Sequence, residues 1–439
     1  MKRSLVLWLI LPLAVSAGQE GGLAVEEAVT IGLAQSRTLR ASAARADAAE
    51  ARAAEARTTR LPVLKGEASY RRLSDVDPFQ VQLPMLPQPI VISPTVLDNT
   101  AMRVSLQQPL FTGFRISSTI RVAEAAAEAA TLDHASDRSD LVLNIVAAYW
   151  MLYQARETER FTGENVARLE QYARDTDRLL SAGAATRNDV LRVQVQLSTA
   201  RLGRIDAEND ARLAAMNLNM LLGRPVDMPV QLASVPGQTA PAVPAGADSL
   251  IRSAHQNRSE LQALRMRVEA SRAGVRAAQA GWWPQLALSG GALYARPNSR
   301  YMPTRDEFKG TWDIGVVLSM DLWNWGQTAR QTDQAEAALR QAELLTAQME
   351  ETVSLEVHRS SLLVSRAAER TDVAALALRQ AEEQARMTED KYRNGLATAA
   401  DLLDAEVALL QAKTTLSGAR VEQEITRARL ARATGGLIP

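Results

Sequence analysis

The chain has 439 residues, 46% of them hydrophobic but only 4% aromatic, with 50 basic and 50 acidic side chains. Its mean hydropathy is −0.15, and no apolar run near ~20 residues occurs beyond the first few residues, which excludes a bundle of transmembrane helices. Balanced charge gives no broad electrostatic drive toward nucleic acid. The absence of cysteine excludes disulfides, thiolate metal sites, cysteine nucleophiles and lipid on cysteine.

Residues 1–17 read as an export signal: Lys2 and Arg3 form a basic start, Leu5 to Leu13 an apolar core, and Val15-Ser16-Ala17 a small-residue cleavage site. The rest of the chain is one unit written twice, over residues 18–223 and 248–439. Gly183-Ala-Ala-Thr-Arg-Asn-Asp189-Val-Leu191 recurs as Gly395-Leu-Ala-Thr-Ala-Ala-Asp401-Leu-Leu403, displaced by 212, and the same displacement aligns Phe111 with Trp323 and Gly223 with Gly435. Residues 224–247, with five prolines, form the linker between the copies.

Each copy begins with an alanine-, arginine- and glutamate-rich helix, about Leu23 to Thr59 and Asp248 to Gly281, ended near Pro62 or Pro284. Two strands come next, at about 63–73 and 99–111 in the first copy and about 284–296 and 311–323 in the second, each alternating with period two. Long proline-free helices over 115–182 and 327–394 would each reach roughly 100 Å. Gly183 and Gly395 stop them. Thr186-x-x-Asp189 and Thr398-x-x-Asp401 read as capping boxes that start return helices over 186–222 and 398–434. The second return helix shows a coiled-coil seam at Leu403, Val407, Leu410, Thr414, Ser417, Val421, Ile425 and Ala428, repeated in the first from Leu191 to Met216.

Of 19 aromatic residues, 12 lie in the two strand regions, at the strand ends. Phe111, Phe114, Trp282, Trp283, Trp323 and Trp325 sit beside the helices, and Trp312 toward the loops. Such bands fit the aromatic girdles of an outer-membrane barrel, and Lys65, Glu67, Arg71, Arg103, Asp313 and Asp321 fit its wet interior. Four strands cannot close a barrel, and open edges are not tolerated in lipid. The chain must therefore associate, two copies giving eight strands or three giving twelve.

With these parts in place the sequence resembles the TolC family of outer-membrane efflux proteins over essentially all of the region after the signal. The paired Gly-x-Ala-Thr-x-x-Asp-[Val/Leu]-Leu turns are the most specific mark. The resemblance implies a mainly α chain with a β-barrel part: a homotrimer with one twelve-stranded barrel in the outer membrane, continuing into a long periplasmic α-helical coiled-coil barrel. It implies a passive exit duct of a tripartite efflux pump or type I secretion system, with a periplasmic adaptor (membrane fusion protein) and an inner-membrane transporter as partners, in contact with outer-membrane lipid and not with nucleic acid. The adaptor would meet the turns at Gly183, Thr186, Gly395 and Thr398. Asp401 and Asp404 match the family's paired aspartates at the periplasmic entrance, two acidic rings in a trimer. Tyr392 and Asp189 match positions that hold the tunnel shut in the family. The arginine that would complete that latch is replaced by Ala397, leaving Arg187 or Arg393 as substitutes.

The alternative is a periplasmic coiled-coil adaptor, which would require neither two aromatic-banded strand pairs nor a full-chain duplication. No catalytic, cofactor or metal-binding constellation is found: His134, His255 and His358 lie in separate helical segments without ligand spacing, and there is no phosphate-binding Gly-Lys-Ser/Thr loop.

Overall fold

The computed structural model describes residues 22–82, 90–93, 95–233, 235–236 and 246–436; the export signal expected at 1–17 lies outside them. In chain order the elements are α1 (Val25–Gln35), α2 (Arg37–Thr58), β1 (Val63–Arg72), β2 (Phe79–Val81), β3 (Ile90–Ser93), β4 (Asp98–Phe111), α3 (Arg115–Ser181) and α4 (Arg187–Leu222). The second copy supplies α5 (Ala247–Asn257), α6 (Ser259–Gln279), β5 (Gln285–Arg296), β6 (Lys309–Ser319), α7 (Gln327–Arg393) and α8 (Ala399–Ala433). Among the described residues no helix is long and apolar enough to cross a membrane.

The chain folds as two compact units, and neither is one of the sequence repeats: each takes segments from both copies. The unit formed by Ser42–His134 and Ser259–Glu350 contains the antiparallel sheet, in the order β1-β4-β5-β6. The two repeats are thus stitched through β4 and β5, with Met102 opposite Tyr294 and Val104 opposite Ala292. Pairing Gly66 with Val104 and Ala292 with Trp312 extends the same register to both outer strands. Because side chains alternate across a strand, one face carries Leu64, Ala68, Met102, Val104, Leu288, Trp312, Ile314 and Val316. The other carries Lys65, Glu67, Arg103 and Asp313. The register shifts between Pro109 and Phe111, where a proline that cannot donate to the ladder sits at a bulge. A small hairpin of β2 and β3 occupies the longer loop of the first copy.

The second unit comprises residues up to Ala41, Ala135–Arg258 and residues from Glu351. Its main core joins Ile145, Tyr149 and Leu152 of α3, Leu218 and Leu222 of α4, Val421, Ile425 and Ala428 of α8, and Ala28 and Val29 of α1. Each large apolar side chain buried here contributes roughly 1.5–3 kcal/mol. The one polar atom of Tyr149 is satisfied, its hydroxyl donating to the Leu23 carbonyl at 2.8 Å.

Two expectations from sequence are corrected. The first helix of each copy is not continuous. It breaks at Ser36, with φ −57° and ψ 123°, and at Arg258, with φ −71° and ψ 120°. Neither break has a glycine or proline to announce it. Each break is faced by the glycine that follows a return helix, with left-handed backbone, Gly223 at φ 72° and Gly435 at φ 74°, and Ser36 Oγ also accepts from the Leu39 amide at the start of α2. A Cβ on Gly223 would lie 2.9 Å from the Gln35 carbonyl oxygen, and one on Gly435 would lie 2.8 Å from Asn257 Cβ. The second correction concerns the seam. In α8, Leu403, Ser417, Val421, Ile425 and Ala428 are buried, whereas in α4 Val195 is 66% and Leu202 65% exposed. Within the chain α4 buries a different set, including Val190, Val193, Ala207 and Ala211. The same inherited stripe is therefore largely buried in one copy, apart from Val407, and exposed among the described residues in the other.

Replacing Gly223 by alanine should destabilise the helical unit more than replacing Gly183, which also has positive φ but nothing within 4 Å of a Cβ. Both substitutions incur the left-handed penalty of about 1–2 kcal/mol, and only the first must also displace the Gln35 backbone. Thermal unfolding followed by helical ellipticity measures the difference; equal shifts would contradict the close-approach account.

Candidate functional site

The turns that join the long and return helices are built alike. After α3, the Gly183 and Ala184 amides donate back to the Leu180 and Leu179 carbonyls; after α7, Gly395 and Leu396 donate to Tyr392 and Lys391. Both glycines are left-handed, as this helix stop requires. Each return helix then opens on a capping box. Asp189 Oδ2 accepts from the Thr186 amide at 2.9 Å and from its hydroxyl, while Thr186 Oγ1 accepts from the Asp189 amide. Thr398 and Asp401 repeat the arrangement at 2.9, 2.7 and 3.2 Å. These hydrogen bonds, from the threonine hydroxyl first and the backbone second, hold both carboxyls below the ordinary aspartate value.

Asp404 lies three residues past Asp401, on the same helical face and exposed. Arg187 is exposed at the first residue of α4, while Arg393 pairs with Glu389 one turn back in its own helix. Tyr392 does not reach Asp189: its hydroxyl is 3.1 Å from Thr176 Oγ1, on α3.

Sequence reasoning missed the residue to which this cluster is anchored. Glu406, 4% exposed on α8, accepts from Arg168 Nε at 2.8 Å and from the Tyr172 hydroxyl at 3.0 Å. Thr176 in turn donates to the Tyr172 carbonyl at 2.8 Å. One face of α3 is thereby tied to α8 through Glu406 and to α7 through Tyr392. The signal was present: Glu406 stands three and four residues from Leu402, Leu403, Leu409 and Leu410, a charge on the apolar side of its helix. The duplication does not repeat it. Displaced by 212, Arg168, Tyr172 and Glu406 correspond to Gln380, Gln384 and Gln194.

In the sheet unit, the aromatic residues collect where strands meet helices. Phe111, Phe114 and Trp283 pack edge to face with ring centroids 5.5 and 6.3 Å apart, and Trp323 and Trp325 lie 5.9 Å apart. Trp282 is exposed beside them, and Trp312 is exposed on the apolar sheet face. Both long helices are entered through two consecutive left-handed residues, Gly113-Phe114 and Trp325-Gly326, with glycine and aromatic exchanged between copies. A Cβ at Gly113 would lie 2.6 Å from Trp283 Cβ, so that site admits only glycine, whereas Gly326 has open space. Lys65, Glu67, Arg71, Arg103 and Asp313 share the polar face, and Asp321 lies just beyond β6.

An apolar sheet face banded by aromatic rings, an opposite polar face, and long helices capped by tight turns define a channel of the outer membrane. The family model described as outer membrane efflux protein matches residues 30–224 and 250–436, and the chain belongs to that family. The two matched stretches fall on the two repeats, either side of the linker. The chain is 25% identical over 323 residues to outer membrane protein TolC of Vibrio cholerae, covering 73% of each. It is 26% identical over 336 residues to the alkaline protease secretion protein AprF of Pseudomonas aeruginosa, covering 76% of this chain and 69% of the relative. Its fold is similar to that of the Campylobacter jejuni CmeC outer membrane channel, with a TM-score of 0.82, 17% identity, and coverage of 94% of this chain and 85% of the other. The protein is an outer-membrane efflux channel with a periplasmic helical part, and not an adaptor.

Removing the Glu406 charge should loosen the helical unit. Because Arg168 remains 30% exposed, Glu406→Gln should cost about 2 kcal/mol rather than the larger loss of a fully buried pair. Burial first, and the Glu406 charge second, push the Tyr172 phenol above its ordinary value. The folded chain then keeps a proton that the unfolded chain gives up above about pH 10. This stabilisation is complete below that pH and is lost as pH rises toward the higher folded value. Denaturant unfolding at pH 9 and pH 11 should show a smaller alkaline loss for Tyr172→Phe than for the unmodified chain; equal losses would reject the assignment.

Proposed function

We propose that three copies of this chain close one twelve-stranded barrel and one helical tunnel, and that the trimer is the passive exit duct of a tripartite export machine. The observation that carries this reading is the sheet itself. Its outer strands β1 and β6 each have one edge without a partner strand among the described residues, and its apolar face is uncovered. Unpaired backbone groups cannot face hydrocarbon, and a four-stranded sheet is too narrow to close alone. The unpartnered rows at Leu191, Val195, Leu202, Ile205 and Leu213 of α4, and at Leu344, Leu355, Leu362 and Val373 of α7, supply apolar surface for neighbouring copies.

In this assembly Phe111, Phe114, Trp282, Trp283, Trp323 and Trp325 would form the girdle on the periplasmic side, with Trp312 toward the outer side. The turns at Gly183–Thr186 and Gly395–Thr398 would receive a periplasmic adaptor, which couples the duct to an inner-membrane transporter. Asp404, and Asp401 beside its capping role, would ring the entrance. Tyr392, held by Thr176, together with Asp189, Arg187 and Arg393, would line the constriction that partners open. A relative named for protease secretion supports protein cargo as readily as small molecules.

Two measurements test the reading. Within one chain β1 and β6 are separated by two strands, roughly 14 Å at the usual strand spacing, so cysteines placed along both edges of this cysteine-free chain should cross-link only between copies. A ladder ending at a trimer is expected; monomers alone would reject the closed barrel. In single-channel recordings, Asp404→Ala with Asp401 kept as the helix cap should weaken block by multivalent cations, on the order of ten-fold. Unchanged block would remove Asp404 from the entrance.

A further inference from the structure

The connection between β5 and β6 does not stand away from the sheet. Asn298, 1% exposed, donates from Nδ2 to the Lys309 carbonyl at 2.9 Å and to Thr311 Oγ1 at 3.2 Å. Its Oδ1 accepts from the Arg300 amide at 3.0 Å. Arg300 then reaches further, donating to the Trp312 carbonyl at 2.8 Å and to Asp313 Oδ1 at 2.9 Å. At the outer end the turn is braced by Arg296 on Asp306, at 2.7 and 3.0 Å, and by stacking of Tyr294 on Phe308 at 5.2 Å. Thr311 and Asp313 both belong to the polar face of the sheet. Asp313 is four residues into β6, on the order of 13 Å along the strand. Beside it Gly291 has no side chain, and a Cβ there would come within 3.8 Å of the Asp313 carboxylate.

We infer that residues 297–300 fold over the polar face into the barrel interior as a constriction near its outer end, while Phe308 stays on the apolar face against Tyr294, and that the Arg300 guanidinium selects there against cations and for anionic or anion-bearing solutes. This rests on the trimeric barrel proposed above, in which the polar face is the lumen. Three copies would bring three guanidiniums toward one axis. The surrounding face adds Lys65, Arg71 and Arg103 against Glu67 and Asp313, with Lys309 paired to Glu307 at 3.3 Å, so the charge around Arg300 is not outweighed by carboxylates. Rings of arginine or lysine favour anions in narrow pores, and ions within a Debye length of about 8 Å at physiological salt feel such a ring. The Asp313 carboxylate orients the guanidinium and does not cancel it, since both groups remain more than half exposed.

The chain has no cysteine, so Arg300→Cys gives a single reactive thiol. In planar bilayers under a KCl gradient, Arg300→Ala should raise the cation-to-anion permeability ratio at least about two-fold. Arg300→Lys should keep the unmodified ratio, which separates charge from loop geometry. On Arg300→Cys, a positively charged thiosulfonate added from the outer side should bring the ratio back to the unmodified value, and a negatively charged one of the same size should raise it above that of Arg300→Ala. A permeability ratio indifferent to the charge at position 300, or a thiol that no outer-side reagent reaches, would overturn the inference. No conductance from the unmodified chain would instead overturn the channel reading, and the inference with it.

Discussion

Every backbone amide and carbonyl that enters hydrocarbon must find a partner within protein, and this chain cannot meet that demand by itself. Among the described residues its four strands satisfy one another through β1-β4-β5-β6 and then stop, with an unpaired edge on either side. The apolar face of the sheet, the aromatic clusters at the strand–helix junctions and the exposed row on α4 have one physical reading under that constraint. In the proposed assembly each is a surface completed by another copy, and the chain is a sector of a ring.

The duplication supplies the sector, and its two halves have parted in an instructive way. Turns, caps and helix entries are kept to the level of individual hydrogen bonds: Thr186 with Asp189 and Thr398 with Asp401 are superimposable in chemistry. The surfaces between helices are not kept. The α8 stripe is mostly buried inside the chain while its α4 counterpart is bare, and Glu406 holds Arg168 and Tyr172 where the other copy has three glutamines. A charged tether within the chain and neutral amides at the corresponding positions make the two kinds of helix contact unequal in strength. In the proposed duct, such inequality would concentrate opening motion at the weaker contact.

Much of the fold was legible because its signals are local. Period-two alternation marks the strands from Val63 to Ser319, a left-handed glycine marks each turn, and a threonine three residues before an aspartate marks each helix start. The class of fold and its place in the outer membrane followed from these together with the aromatic bands. The features that escaped depend on approach between segments distant in sequence. Ser36 and Arg258 read as ordinary helix residues until Gly223 and Gly435 are seen against them. The seam from Leu191 to Met216 has the correct spacing for burial, yet spacing does not say whether the partner helix belongs to the same chain. Glu406 resembles a solvated helix charge because its partners are more than 230 residues away in sequence. Arg300 sits in a loop whose inward fold is set by Thr311 and Asp313, which no periodicity reveals.

The clasp between Gly223 and Gln35 also sets a ruler. Both α3 and α7 run for 67 residues, and the return helices for 36 and 35. A single residue inserted into α4 between Thr186 and Gly223 would advance the glycine by 1.5 Å and rotate it by about 100°, carrying it off the only backbone conformation that fits against the break. Helix length in α4 is thus a dimension held by the clasp, whereas the longer strand loop of the first copy, which no such clasp spans, could differ in length between the two copies.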